Sequence, residues 1–179
     1  MKGIVFTEFL EMVEGKFGLE MVDTIIHQCQ LNSNGIYTSV GTYNFAEMLQ
    51  LLQSLSYNTD ISIDQLLLTY GEYFFNSLKT SYPDLLKSYN DPIELLASVE
   101  NHIHIEVLKI YPDAELPTFE MIDKSAKSLT MIYKSSRSMH HFALGLMNET
   151  FKHFNTSSNI KMKKIKEDGT EVRFIIKME

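Results

Sequence analysis

The chain has 179 residues, enough for one domain that buries a core without cross-links. Its formal charge of -7 argues against nucleic acid as the main partner. Cys29 is the single cysteine, which excludes an internal disulfide and any thiolate cluster for zinc or iron–sulfur, and a reducing, cytoplasmic location is expected.

The opening MKGIVFTEFLEMVEGKF carries acidic residues inside its apolar run. It does not read as a signal peptide, and no apolar run is long enough to span a membrane. Phe9, Leu10, Val13 and Phe17 instead follow a helical spacing from about Ile4, which Gly18 ends. A second helix is expected from Leu19 to Gln30, with Met21, Val22, Ile25, Ile26 and Cys29 inward, followed by a turn at Asn32 to Gly35.

A third helix runs from Asn44 to Ser56, and Ser62 with Gln65 opens a fourth through Leu66, Leu67, Tyr70 and Phe74. Gly71 falls inside that helix, in YGEYFF. There it marks either close helix packing or the approach of a large flat group. A short helix is expected over Tyr82 to Tyr89.

Asp91, Pro92 and Glu94 then set an N-cap, a first-turn proline and a capping box, predicting one helix as far as Tyr111, where Pro112 stops it. On a wheel of about 100° per residue, Leu96, Val99, Ile103, Val107 and Ile110 share one side. His102 faces away. His104 stands at the edge of the apolar stripe, either as a core-edge histidine bonded to a carbonyl or as an axial ligand to a metal or haem.

Beyond Pro112 the rhythm changes to alternation. Strands are expected near Thr118 to Ile122 and Thr130 to Ser135, and two more, Ile160 to Lys166 and Glu171 to Lys177, join at Asp168-Gly169 in a hairpin. His140 to Phe154 returns to helical spacing. The fold class is therefore α+β, with a helical lobe over about 1–60 and a mixed lobe with an antiparallel sheet over about 61–179. On one strand face Tyr133, Ser135 and Arg137 set two hydroxyls and a guanidinium in a row, suited to a carboxylate or phosphate.

The order HIHIEVLKIYP, LPTF and YKSSR, with MKGIV, YGEYFF and the terminal hairpin, resembles the haem nitric oxide/oxygen-binding (H-NOX) domains, which include the haem domain of soluble guanylate cyclase. The resemblance covers essentially the whole chain. It implies haem b between the two lobes, with His104 as proximal iron ligand. It further implies propionates clamped by Tyr133, Ser135 and Arg137, and a haem face pressed and bent by Pro117. Val5 and Phe74 match distal-pocket positions, and the helix around Phe142 to Leu146 is expected to supply the rest of the distal wall; the alternative for each of these apolar residues is plain core.

No tyrosine lies between Ser138 and Phe151 and the chain has no tryptophan. In this family a distal tyrosine marks the oxygen binders, so the resemblance implies a sensor of nitric oxide that also takes carbon monoxide. His140 and His141 could still supply a distal donor if either ring turned inward. The implied partner is a histidine kinase or an enzyme making or degrading cyclic di-GMP. The chain shows no catalytic set of its own and is not expected to be an enzyme. An oxygen-binding or haem redox sensor, a haem enzyme such as a nitric oxide dioxygenase, and a haem-free interaction domain remain the competing readings.

Overall fold

The computed structural model describes all residues, Met1–Glu179. The first apolar spacing becomes α1 (Ile4–Phe17), which buries Phe6, Phe9, Met12 and Val13. It ends at Gly18, whose φ of +86° glycine adopts freely. After α2 (Leu19–Gln28), α3 (Phe45–Thr59) starts at Asn44, whose side-chain oxygen accepts the Ala46 N–H at 2.9 Å. α4 (Ile63–Ser81) starts likewise at Ser62, which accepts the Gln65 N–H at 3.3 Å. No helix is long and apolar enough to cross a membrane.

These helices share a core that includes Phe6, Phe9, Ile25, Met48 and Leu52. That core does not stop near residue 60, because α4 contributes Leu66, Leu67, Tyr70 and Phe74 to it. The other side of α4 meets α8 (His140–His153) at very close range. A Cβ on Gly71 would stand 2.1 Å from the Phe142 carbonyl oxygen, and one on Gly145 would stand 2.2 Å from that of Leu68. Close packing of two helices accounts for Gly71; a flat ligand is not needed to explain it.

The second core lies under a four-stranded antiparallel sheet of order β1-β2-β4-β3. Its strands are β1 (Thr118–Lys124), β2 (Ser128–Lys134), β3 (Ser158–Lys164) and β4 (Glu171–Met178). Alternation turns Leu129, Met131 and Tyr133 of β2 and Val172, Phe174 and Ile176 of β4 to one face. There they meet Ile93, Leu95 and Leu96 and the α8 residues Ala143, Met147 and Phe151. The expected hairpin joins β3 to β4, with Gly169 at φ +76° and the Thr170 N–H on the Asp168 carboxylate at 2.9 Å. The fold is α+β, as the change of rhythm after Pro112 implies.

Two local expectations need correction. The span Asp91 to Tyr111 is not one helix. After the short α5 (Asp84–Lys87) it divides into α6 (Pro92–Ala97), a π-helical turn at Val99–Ile103, and α7 (His104–Ile110). In the turn the Ile103 N–H reaches back five residues to the Ser98 carbonyl at 3.3 Å. The extra residue in that turn changes the pitch, and Ile110, at the end of α7, is 45% exposed. The cap itself holds: Asp91 accepts the N–H groups of Ile93 at 2.8 Å and Glu94 at 3.0 Å.

The strand alternation also fails to reach Arg137. β2 ends at Lys134, and Ser135, Ser136 and Arg137 form a turn completed by Ser138 at φ +52°. The Ser135 N–H donates to the Thr170 carbonyl at 2.9 Å, one rung beyond the Lys134 and Glu171 pair, before the chain turns.

Candidate functional site

A cavity of about 280 Å³ opens between the two cores. Its wall contains all nine residues singled out above: Val5, Phe74, His104, Pro117, Tyr133, Ser135, Arg137, Phe142 and Leu146. Val5, Phe74, Phe142 and Leu146 belong to or pack against the first core. Tyr133 belongs to the second. The whole apolar stripe of Leu96, Val99, Ile103, Val107 and Ile110 also lines the cavity, so its role is to face an interior space as well as other side chains.

His104 opens α7 directly after the π-helical turn, with its side chain 13% exposed. Nδ1 lies 3.4 Å from Oε2 of Glu100, and Phe119 packs on the ring with centroids 5.9 Å apart. Burial holds the imidazole below its usual range, partly opposed by Glu100, so the ring favours the neutral form that a metal requires. Glu100 was not recognisable from the sequence as more than a solvated charge. The signal was its i,i+4 spacing to His104.

At the cavity edge the Tyr133 phenol is pushed up by burial, an effect partly offset by the Ser135 hydroxyl. Arg137 donates from Nη1 to the Glu115 carbonyl oxygen at 2.7 Å and pairs through Nη2 with the Glu115 carboxylate. The strand face therefore becomes a strand end and a turn, yet phenol, hydroxyl and guanidinium still meet at one rim. Beside them Lys2, absent from the sequence-based set, donates to Asp113 at 2.9 Å and to Thr42 at 2.9 Å. This links the start of the chain to the segment just after α7.

The histidine pair on α8 does not line the cavity. His140 is 6% exposed and packs on the hairpin turn, where a Cβ on Gly169 would stand 2.6 Å from its Cε1. His141 Nδ1 lies 3.2 Å from Asp64. What α8 gives the cavity is Phe142, Ala143, Leu146, Met147 and Thr150, and the Thr150 hydroxyl already donates to the Leu146 carbonyl at 2.8 Å.

The family model described as haem-NO-binding matches residues 2–162. The chain belongs to the H-NOX family. An unliganded Fe(II) H-NOX protein from K. algicida is 70% identical, with a TM-score of 0.97 over 100% of this chain and 97% of that one. The H-NOX protein of Shewanella woodyi, solved in the Fe(II)CO state, is 34% identical, with a TM-score of 0.84 over 100% and 95%. That of S. oneidensis in the Fe(II)NO state shares the fold at 23% identity, with a TM-score of 0.91 over 100% and 99%. No curated protein matches the chain.

H-NOX domains are haem-binding gas-sensor domains, and the donor set here fits that group. No three His, Cys, Asp or Glu side chains gather to hold a bare metal ion. A lone imidazole in an apolar cavity suits a metal that brings its other ligands with it. The guanidinium and hydroxyls at the rim suit the carboxylates such a cofactor carries.

Proposed function

We propose that this H-NOX domain is a haem-based nitric oxide sensor that is not itself an enzyme. The observation that carries the reading is the placement of His104 and the Tyr133, Ser135 and Arg137 rim around one largely apolar cavity. Haem b bound there would supply a ferrous iron able to take up nitric oxide or carbon monoxide. His104 would hold it from α7 through the nitrogen not facing Glu100. Arg137 would exchange its Glu115 partner for a propionate, with Ser135 and Tyr133 beside it, and Pro117, between α7 and β1, would press on the cofactor face.

Val5, Phe74, Phe142 and Leu146 keep the gas side dry and without donors. Oxygen on ferrous iron carries partial negative charge and is held well only by a hydrogen-bond donor. The α8 wall offers none, since His140 and His141 lie outside it and the Thr150 hydroxyl is committed. Selectivity for nitric oxide over oxygen follows.

With haem bound, His104 would hold the iron, and its release would be the signal. α7 would then be free to move relative to Pro117, and the Lys2, Thr42 and Asp113 link would pass that motion to the helical lobe. A ligand thereby biases a two-state element. A histidine kinase or an enzyme making or degrading cyclic di-GMP reads the change. The test is His104→Gly supplied with imidazole. Haem should bind, but hydrogen exchange over residues 104–113, which responds to nitric oxide in the unmodified protein, should no longer do so. An equal response in the variant would contradict the release step.

A further inference from the structure

The least explained group beside the cavity is the carboxylate of Glu100. It sits inside the π-helical turn, four residues before His104, with its side chain 40% exposed. Its Oε2 does two things at once. It lies 3.4 Å from His104 Nδ1, and it accepts the backbone N–H of Phe119 on β1 at 2.9 Å.

A solvated glutamate on a helix would have no reason to hold a strand's N–H. This one is fixed at both ends of its reach, between the π-turn and the sheet, and the Phe119 ring closes over the imidazole it faces. Nδ1 is the ring nitrogen that faces the carboxylate. A carboxylate oxygen can only accept, so this placement favours the hydrogen on Nδ1 and leaves the Nε2 lone pair free.

We propose that Glu100 is the positioning residue of the iron ligand: it fixes the His104 tautomer, aims Nε2 into the cavity, and through its charge sets how firmly the imidazole holds a metal. This rests on the reading of His104 as the haem ligand. A carboxylate on the far nitrogen raises the basicity of the ligating one, and loss of such a partner commonly costs about 10–100-fold in metal affinity or activity. Glu100 therefore opposes release of His104 and sets the gas level at which release occurs. The π-turn is the device that places carboxylate, imidazole and Phe119 together.

Glu100→Gln separates this role from a merely structural one. The amide oxygen can still accept the Phe119 N–H, so the link to β1 survives while the charge is lost. In the reduced, haem-loaded protein the iron–histidine stretching band in the resonance Raman spectrum should move to lower frequency and the iron reduction potential should rise. Nitric oxide should displace His104 about 10-fold faster or more. Glu100→Asp should recover part of each effect.

Haem bound normally with an unchanged stretching band and potential would overturn the role of Glu100 while leaving His104 as ligand. An unmodified protein with no haem spectrum at all would overturn the site reading itself. A measurement on the haem-free protein stands independently of loading. The ¹⁵N shifts of His104 should report the Nδ1–H tautomer, a preference weakened in Glu100→Gln, and the Nε2–H tautomer in the unmodified protein would overturn the proposal.

Discussion

His140 shows how little a residue's type says about its task. Both of its ring nitrogens are buried without a hydrogen-bond partner. Burial holds the ring below the usual imidazole range, with His141 and Lys164 adding to the effect and Asp64 opposing it. The folded protein therefore prefers the neutral ring, whereas the unfolded chain takes a proton near the ordinary value of about 6.5. This contribution to stability is complete above that pH and is lost as pH falls from it toward the depressed folded value. The denaturation midpoint should drop between pH 7.5 and 5.5, and His140→Phe should lessen the drop; an equal drop in both proteins would contradict the assignment. His104 and His153 shift in the same direction, so the variant keeps part of the slope. Nothing in the letters HH before Phe142 reveals that one ring is sealed under a hairpin turn and the other set against Asp64. The neighbours that decide this, Gly169 and Asp64, are distant in the chain.

At the scale of elements, the tightest joint is α4 against α8, where Gly71 and Gly145 let two backbones meet. Gly145→Ala should cost about 1–3 kcal/mol, the usual penalty for overpacking, in spite of the better helix propensity of alanine. On a chain of this length that corresponds to a fall in Tm of several degrees, about 2–4 °C per kcal/mol. An unchanged or raised Tm would show that the helices can part without loss. Gly71 could be noticed in the sequence because it interrupts an aromatic helix, but its partner could not, since pairing depends on how two helices cross.

The same limit explains the π-turn. The caps, the proline stop and the apolar stripe of Asp91 to Tyr111 were all legible, because each is a local rule. A one-residue change of pitch leaves no mark in apolar spacing, and it shows itself in the Ile103 bond back to Ser98 and in the reach of Glu100 to Phe119. Tyr133, Ser135 and Arg137 offer the converse case. Their alternation pointed correctly to one shared rim, although two of the three reach it from a turn.

For the whole molecule, one cavity takes its walls from two cores, so a group bound there would touch both. The first core owns Phe74 and supports Val5, Phe142 and Leu146; the second owns Tyr133; α7, bearing His104, is exposed on its outer side at Ile105 and Leu108. α7 has no fully buried residue, so in the proposed reading little besides His104 holds it in place. The change from helical to alternating rhythm after Pro112 announced two lobes. The reach of α4 into the first core did not follow from it, because composition does not break there.

The central claim is that His104 holds haem iron and lets go when nitric oxide binds. The most direct test is the visible spectrum of the purified, anaerobically reduced protein, taken before and after nitric oxide and then on exposure of the gas-free ferrous protein to air. A haem Soret band should appear, move with nitric oxide to the five-coordinate form, and give no stable oxygen complex. A nitric oxide complex that stays six-coordinate, a stable oxygen complex, or no Soret band after haem is supplied would contradict the claim.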